Sequence, residues 1–308
     1  MLKKLLAAAL AVTVGGGALF WTLSAPASIE AGALPSAADA TRGEQVFWTG
    51  GCASCHAKPG ADGEARLALA GGLELKTEFG TFVAPNISPD TKDGIGGWSE
   101  AEFANAMLHG VSPRGEHYYP AFPYPSYARM APQDVADLFA FLKTLPAIEG
   151  RAPDHQLSFP FTLRRGIGLW KRLYMHDAPV VALAADASGL ARRGQYLVEG
   201  PGHCGECHTP RSITGGQDYE QWLAGAVAAE GAGVVPNITA GEGGVGSWSA
   251  SDIAYYLESG FTPDFDSVGG AMVSVQKNMA ELSKDDRDAI AAYLKAVPAK
   301  PNGYPSSR

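Results

Sequence analysis

The sequence predicts an all-α chain of 308 residues built as two tandem domains of about 110 residues each. Three observations carry that prediction. Landmarks recur in register: Arg42-Gly43 as Arg193-Gly194, Pro85-Asn86-Ile87 as Pro236-Asn237-Ile238, Trp98-Ser99 as Trp248-Ser249, Gly110-x-x-Pro113 as Gly260-x-x-Pro263, and residues 140–147 as 292–299. The offsets stay between 150 and 152 residues, the mark of a duplication. Apolar residues recur at helical spacing between capping signals, and no convincing alternating strand appears. Finally, all four cysteines fall in two copies of one motif, C-x-x-C-H.

Residues 1–27 open with Lys3 and Lys4, and the run from Leu5 to Leu23 carries no charge. That run is long enough to cross a hydrocarbon core of ~30 Å, with Phe20 and Trp21 at the level of interfacial aromatics. A retained membrane anchor is expected; cleavage as a signal peptide after Ala25-Pro26-Ala27 is the competing outcome. Either outcome places the chain beyond residue 30 outside the cytoplasm. Residues 28–40, rich in small side chains, read as a tether.

The first domain is expected over 41–148. Ser99 and Glu102 form a capping box ahead of the stripe Phe103, Ala106, Met107 and Gly110. Pro132 suits the first turn of a terminal helix carrying Val135, Leu138, Phe139 and Leu142, which Pro146 stops. A bridge over 149–188 comes next. The second domain, 189–300, repeats the pattern: Ser249 and Asp252 precede Ile253, Tyr256 and Leu257, and Ser283 caps a terminal helix that Pro298 ends. Residues 301–308 are a tail. Each half thus reads as a short helix, a C-x-x-C-H turn, long Gly/Pro loops and two further helices. Loops of that length imply something large to wrap around.

Cys52-Ala53-Ser54-Cys55-His56 and Cys204-Gly205-Glu206-Cys207-His208 bear the signature of covalent c-type haem attachment. Two thiols three residues apart reach the two vinyl groups on one porphyrin edge, and the next residue, His56 or His208, becomes the proximal iron ligand. A thioredoxin-like redox site needs a βαβ setting that is absent. A zinc site or disulfides would leave the matching histidines unexplained. Two haem c groups are therefore expected, held by Cys52, Cys55, Cys204 and Cys207.

An electron carrier needs a second axial ligand, usually Met or His. In the second half Met272 lies in a loop leading to the terminal helix, the order of a class I cytochrome c domain; Met279 is its rival, close to the helix start. In the first half Phe122 stands where a Met is expected. Met107 belongs to a core stripe, which leaves Met130, with His117, His109 or an open position as alternatives. Asn86 and Asn237 read equally well as haem-edge donors or turn caps, Trp98 and Trp248 as core. His203 reads as a solvent-facing loop residue.

The sequence resembles the dihaem c-type cytochromes of bacterial periplasmic electron transfer. These are related to the cytochrome c subunits of membrane-bound alcohol, gluconate and similar dehydrogenases. Residues 40–300 carry the resemblance, through both C-x-x-C-H motifs, the YYPAFPYPSYARM loop and GGAMVSVQKNMAEL. Relatives with PAMPY place a Met where Phe122 stands. Those with PAFPY tend to carry one where Met130 stands, so the resemblance favours Met130 as the first sixth ligand. The resemblance implies a periplasmic electron-transfer protein, not an enzyme. It would be anchored to the inner membrane and relay electrons from a dehydrogenase to a quinone, another cytochrome or a terminal oxidase.

Charge sets the remaining expectations. The net charge of −8 argues against a nucleic-acid partner. Residues 194–308 carry a net −7, which either steers a cationic partner or is merely a solvated face. Residues 149–193 carry a net +3, including Arg164, Arg165, Lys171 and Arg172; with Trp170, Leu173 and Tyr174 they either meet lipid headgroups or tie the domains together. The competing function is a dihaem redox enzyme of the peroxidase or thiosulfate-oxidising type. It needs an exchangeable first haem, with Glu116 and His117 as possible helpers.

Overall fold

The computed structural model describes residues 1–29, 35, 37–229 and 233–304, so the expected tether and tail lie partly outside the described residues. The uncharged N-terminal run lies in α1 (Leu2–Leu23), a 22-residue helix no part of which is buried against the protein. At ~1.5 Å per residue it is about 33 Å long, the thickness of a bilayer core. Asp39 then caps α2 (Ala40–Thr49) by accepting from the backbone N–H groups of Thr41 and Arg42. The first motif forms a single turn, α3 (Cys52–His56).

The all-α class stands, but short strands occur where the sequence shows no convincing alternation. β1 (Glu74–Thr77) and β2 (Gly80–Val83) pair antiparallel, Glu74 opposite Val83. The strands hold four residues each, the bottom of the range over which alternation can be read, and Gly71, Gly72 and Gly80 disguise them as loop. The molecule is nonetheless mostly helical. α4 (Glu100–His109) starts in the expected capping box and ends on left-handed Gly110. α5 (Tyr124–Tyr127) is one turn, and α6 (Pro132–Leu142) begins on its proline.

The bridge returns to both halves. β3 (Gln156–Leu157) adds a third strand beside β2, and α7 (Ile167–Tyr174) comes after it. Trp170 Nε1 donates to the carbonyl of Thr214 at 2.9 Å and Arg129 Nε to that of Ala178 at 2.9 Å, so the segment ties the halves. The second half repeats the first: α8 (Gly189–Glu199), the motif turn α9 (Gly205–His208), a ribbon of β4 (Ala226–Val227) and β5 (Val234–Val235), and α10 (Ala250–Ser259) with its own capping box. α11 (Met272–Met279) and α12 (Lys284–Ala296) close the chain.

α2 packs on α6 as α8 packs on α12. The repeated Arg-Gly pairs make both crossings. A Cβ on Gly43 would lie 1.9 Å from the Asp137 carbonyl oxygen, and one on Gly194 would lie 1.8 Å from that of Ala289. The preceding arginines reach the facing helices: Arg42 Nε meets buried Asp137 at 2.7 Å, and Arg193 Nε meets Asp286 at 2.9 Å. Phe47, Leu138, Leu142, Leu197, Leu223 and Tyr293 are buried in the shared core. Each such aliphatic or Phe side chain contributes about 1.5–3 kcal/mol.

Candidate haem sites

Both motif turns are set up by the helix before them. α2 stops at Gly50, and Gly51, left-handed at φ 58°, redirects the chain into α3. In the second half His203 holds the equivalent left-handed position at φ 40°. In each half the carbonyl of the motif histidine then accepts a backbone N–H from the next loop, Gly71 for His56 and Gly225 for His208, both at 2.7 Å.

The imidazoles are oriented by a bond that sequence reasoning did not identify. Nδ1 of His56 lies 2.8 Å from the Pro85 carbonyl oxygen, and Nδ1 of His208 lies 2.7 Å from that of Pro236. A carbonyl accepts only, so Nδ1 is the protonated nitrogen and the lone pair resides on Nε2. Burial lowers both imidazole pKa values, the Pro carbonyls opposing it, which favours the neutral imidazole. Both side chains are nevertheless only half-buried. The thiols of Cys52 and Cys204 are pushed up to about 12 by burial and by their partner cysteines.

The recurring asparagines prove to be turn caps. Asn86 Oδ1 accepts from Ser88 N–H at 2.8 Å, and its amide donates to the carbonyls of Ile148 and Gly150 at 2.7 and 2.9 Å. Asn237 accepts from Thr239 N–H at 2.8 Å and donates to Lys300 at 2.9 Å. Both are buried, and each ties the Pro-Asn-Ile loop to the chain just beyond the terminal helix. That tether fixes the Pro carbonyl on which the histidine rests. The repeat of Pro-Asn-Ile is the signal in the sequence; its pairing with the histidine emerges only in three dimensions.

The methionines occupy different settings. Met130 is buried at the entrance to α6 and shares the core with Tyr127 and Leu138. Met272 is half-buried and packs against the core, but it opens α11 rather than sitting in a loop. The glycines before it, Gly269 and Gly270, hide that helix start in the sequence. Met107 is buried within α4, and Met279 is buried at the end of α11. His117 is committed elsewhere: its Nε2 lies 2.9 Å from the Ser24 carbonyl oxygen at the end of α1. Glu116 pairs with Arg114 at 3.2 Å on the surface, so both of these side chains have other partners.

The two motifs meet each other's halves. Ser54, inside the first motif, accepts from Asn278 Nδ2 at 2.6 Å; Glu206, at the same place in the second motif, accepts from Ser126 Oγ at 2.7 Å. Both partners are related by the same 152-residue offset, so the bonds are reciprocal. α11 lies on α2 and α3, and an ion pair of Lys277 with Asp62 at 3.3 Å and one of Arg66 with Glu281 flank it. His203 is not a solvent-facing residue: it is half-buried, its Nε2 lies 3.1 Å from the Gly50 carbonyl oxygen and its ring stands edge-on to Tyr127.

Two thiols on one turn, with the next imidazole presenting Nε2, make the donor set that haem c requires, and it occurs twice. Comparison with known proteins agrees. The cytochrome c family model matches residues 40–146. A protein of Cereibacter sphaeroides named diheme cytochrome c-type is 52% identical over 97% of this chain and 99% of its own length. The gluconate 2-dehydrogenase cytochrome c subunit of Pantoea cypripedii is 36% identical over 84% of the chain. The alcohol dehydrogenase (quinone) cytochrome c subunit of Gluconobacter oxydans is 34% identical over 85%. The chain spans 59% and 55% of those two subunits.

Proposed function

The chain belongs to the family of dihaem c-type cytochromes, and from that premise we propose that it relays single electrons through two haem c groups, one in each half. Cys52 and Cys55 would hold the first haem, with His56 and Met130 on its iron. Cys204 and Cys207 would hold the second, with His208 and Met272. When bound, haem c supplies a one-electron couple at iron. The observation that carries the reading is the repeated Nδ1–carbonyl bond behind each cysteine pair, which serves no evident purpose except to aim an imidazole.

The protein's own work is positioning. Pro85 and Pro236 hold the ligand histidines in one tautomer and one orientation, and Asn86 and Asn237 hold the prolines. Met130 would supply a thioether from just before α6 and Met272 one from the start of α11; a thioether favours ferrous iron and raises the potential. The bonds Ser54–Asn278 and Ser126–Glu206 hold the motif of each half against the other, which favours exchange within one molecule. Two tandem domains, 41–148 and 189–300, are in keeping with the paired helix crossings and loop bonds.

The donor proposed is a periplasmic or membrane dehydrogenase, in keeping with the relatives that are cytochrome c subunits of such enzymes. A quinone, another cytochrome or a terminal oxidase would accept. The site would be the periplasm, with α1 retained in the inner membrane. Anchoring is supported by the way the helix ends: its last carbonyls are held by folded protein, as a leader destined for removal need not be. Absorption and EPR spectra of the oxidised protein test the reading. Two low-spin signals and a methionine-to-iron charge-transfer band are expected; a high-spin signal that binds carbon monoxide would favour an exchangeable site instead.

A further inference from the structure

The cationic bridge has a place beyond joining the halves. α1 ends against it: Arg172 Nε donates to the Leu23 carbonyl at 2.5 Å, Arg165 Nη2 to that of Trp21 at 2.6 Å, and Arg165 Nε to Ser24 Oγ at 2.9 Å. The Arg165 guanidinium also lies 4.1 Å from the Trp21 ring centroid. Ser24 is buried there, and Gly168 allows the contact, since a Cβ would lie 2.4 Å from the Ser24 carbonyl oxygen. Leu23 is the last residue of α1. Both guanidiniums therefore sit within about one helical turn, ~5.4 Å, of where the apolar span stops.

The same segment exposes apolar side chains that the protein leaves uncovered: Phe159 at 78%, Leu163 at 60% and Leu173 at 68%. Arg172 beside Leu173 is exposed as well. Isolated exposed apolar residues need no explanation, but three on the stretch that grips a membrane helix at its exit do. Guanidiniums at that depth meet phosphate oxygens, and apolar side chains around them meet the acyl boundary.

We propose that residues 159–173 form a collar that lies on the membrane around the exit of α1. Phe159, Leu163 and Leu173 enter the headgroup–acyl boundary, and Arg165 and Arg172 take the phosphates of anionic phospholipids. The inference rests on α1 being a retained anchor. The collar would fix the tilt of the whole molecule on the bilayer, and so the direction each half faces.

The full-length haem-loaded protein is reconstituted into vesicles of phosphatidylcholine with or without phosphatidylglycerol. A nitroxide is carried at Leu173→Cys or Leu163→Cys, with exposed Tyr255→Cys on α10 as the aqueous control. With phosphatidylglycerol present, labels at 173 and 163 are expected to be several-fold less accessible to a water-soluble relaxation agent than the label at 255. They should also be more accessible to oxygen. Accessibility equal to that at 255, in protein that resists alkaline carbonate extraction, would overturn the collar while the anchor stands. Equal protection without phosphatidylglycerol overturns the anionic-phosphate assignment. Extraction by carbonate, with a mature N-terminus beyond Ala27, overturns the anchor reading and the collar with it.

Discussion

At the scale of single residues the site depends on few bonds. Asn237 makes its contacts from a buried position, so Asn237→Ala leaves the Thr239 N–H and the Lys300 carbonyl without their partner. About 1–3 kcal/mol of stability should be lost, read as a lower urea midpoint with unchanged slope. Met130→Ala should convert the first haem alone from low to high spin; an unaltered spectrum would remove Met130 as ligand. Lys171 gives the chain a pH dependence, because burial pushes its pKa down to about 7. The unfolded chain then holds a proton between about pH 7 and 10 that the folded chain does not, so stability should rise with pH across that window. Lys171→Met should flatten the rise in a series of thermal melts. Cysteines, motif histidines and caps are legible in the sequence because their chemistry is local. The Pro85 and Pro236 carbonyls are not, since a residue's partner 28 or 29 positions away is fixed only by the loop's path.

At the scale of elements the helices are where the sequence speaks most clearly. Ser99, Ser249 and Ser283 cap as expected, and Pro132 opens α6, because capping chemistry acts over three or four residues. Ser249→Ala should cost about 1 kcal/mol, measurable by thermal denaturation. Two features stay hidden in the sequence for opposite reasons. β1 to β3 are too short to show a period, and α11 begins beside two glycines that read as loop. The close crossings are a stronger test of the fold. Gly194→Ala drives a methyl into the Ala289 carbonyl and should cost at least the ~1–3 kcal/mol of ordinary overpacking, since backbone rather than a side chain must yield. Reduced recovery of folded protein and a lowered melting temperature would register it.

At the scale of the molecule, the duplication is visible in the offsets, but how the halves meet is not. Ser54, Ser126, Glu206 and Asn278 differ in type between the repeats and carry no pattern. Their reciprocal bonds place the first C-x-x-C-H motif on α11 and the second on α5, so the motifs themselves form part of the contact between the halves. Removing both bonds in Ser126→Ala/Asn278→Ala should slow electron exchange between the haems after flash reduction, while each haem's own spectrum stays as it was. The proposal of two haems bonded to one chain needs no kinetics to check. Intact-mass spectrometry of the purified, denatured protein, read with its alkaline pyridine spectrum, decides it. The expected result is a polypeptide heavier by two haems that do not extract into acidified organic solvent. A mass showing one haem or none would contradict it.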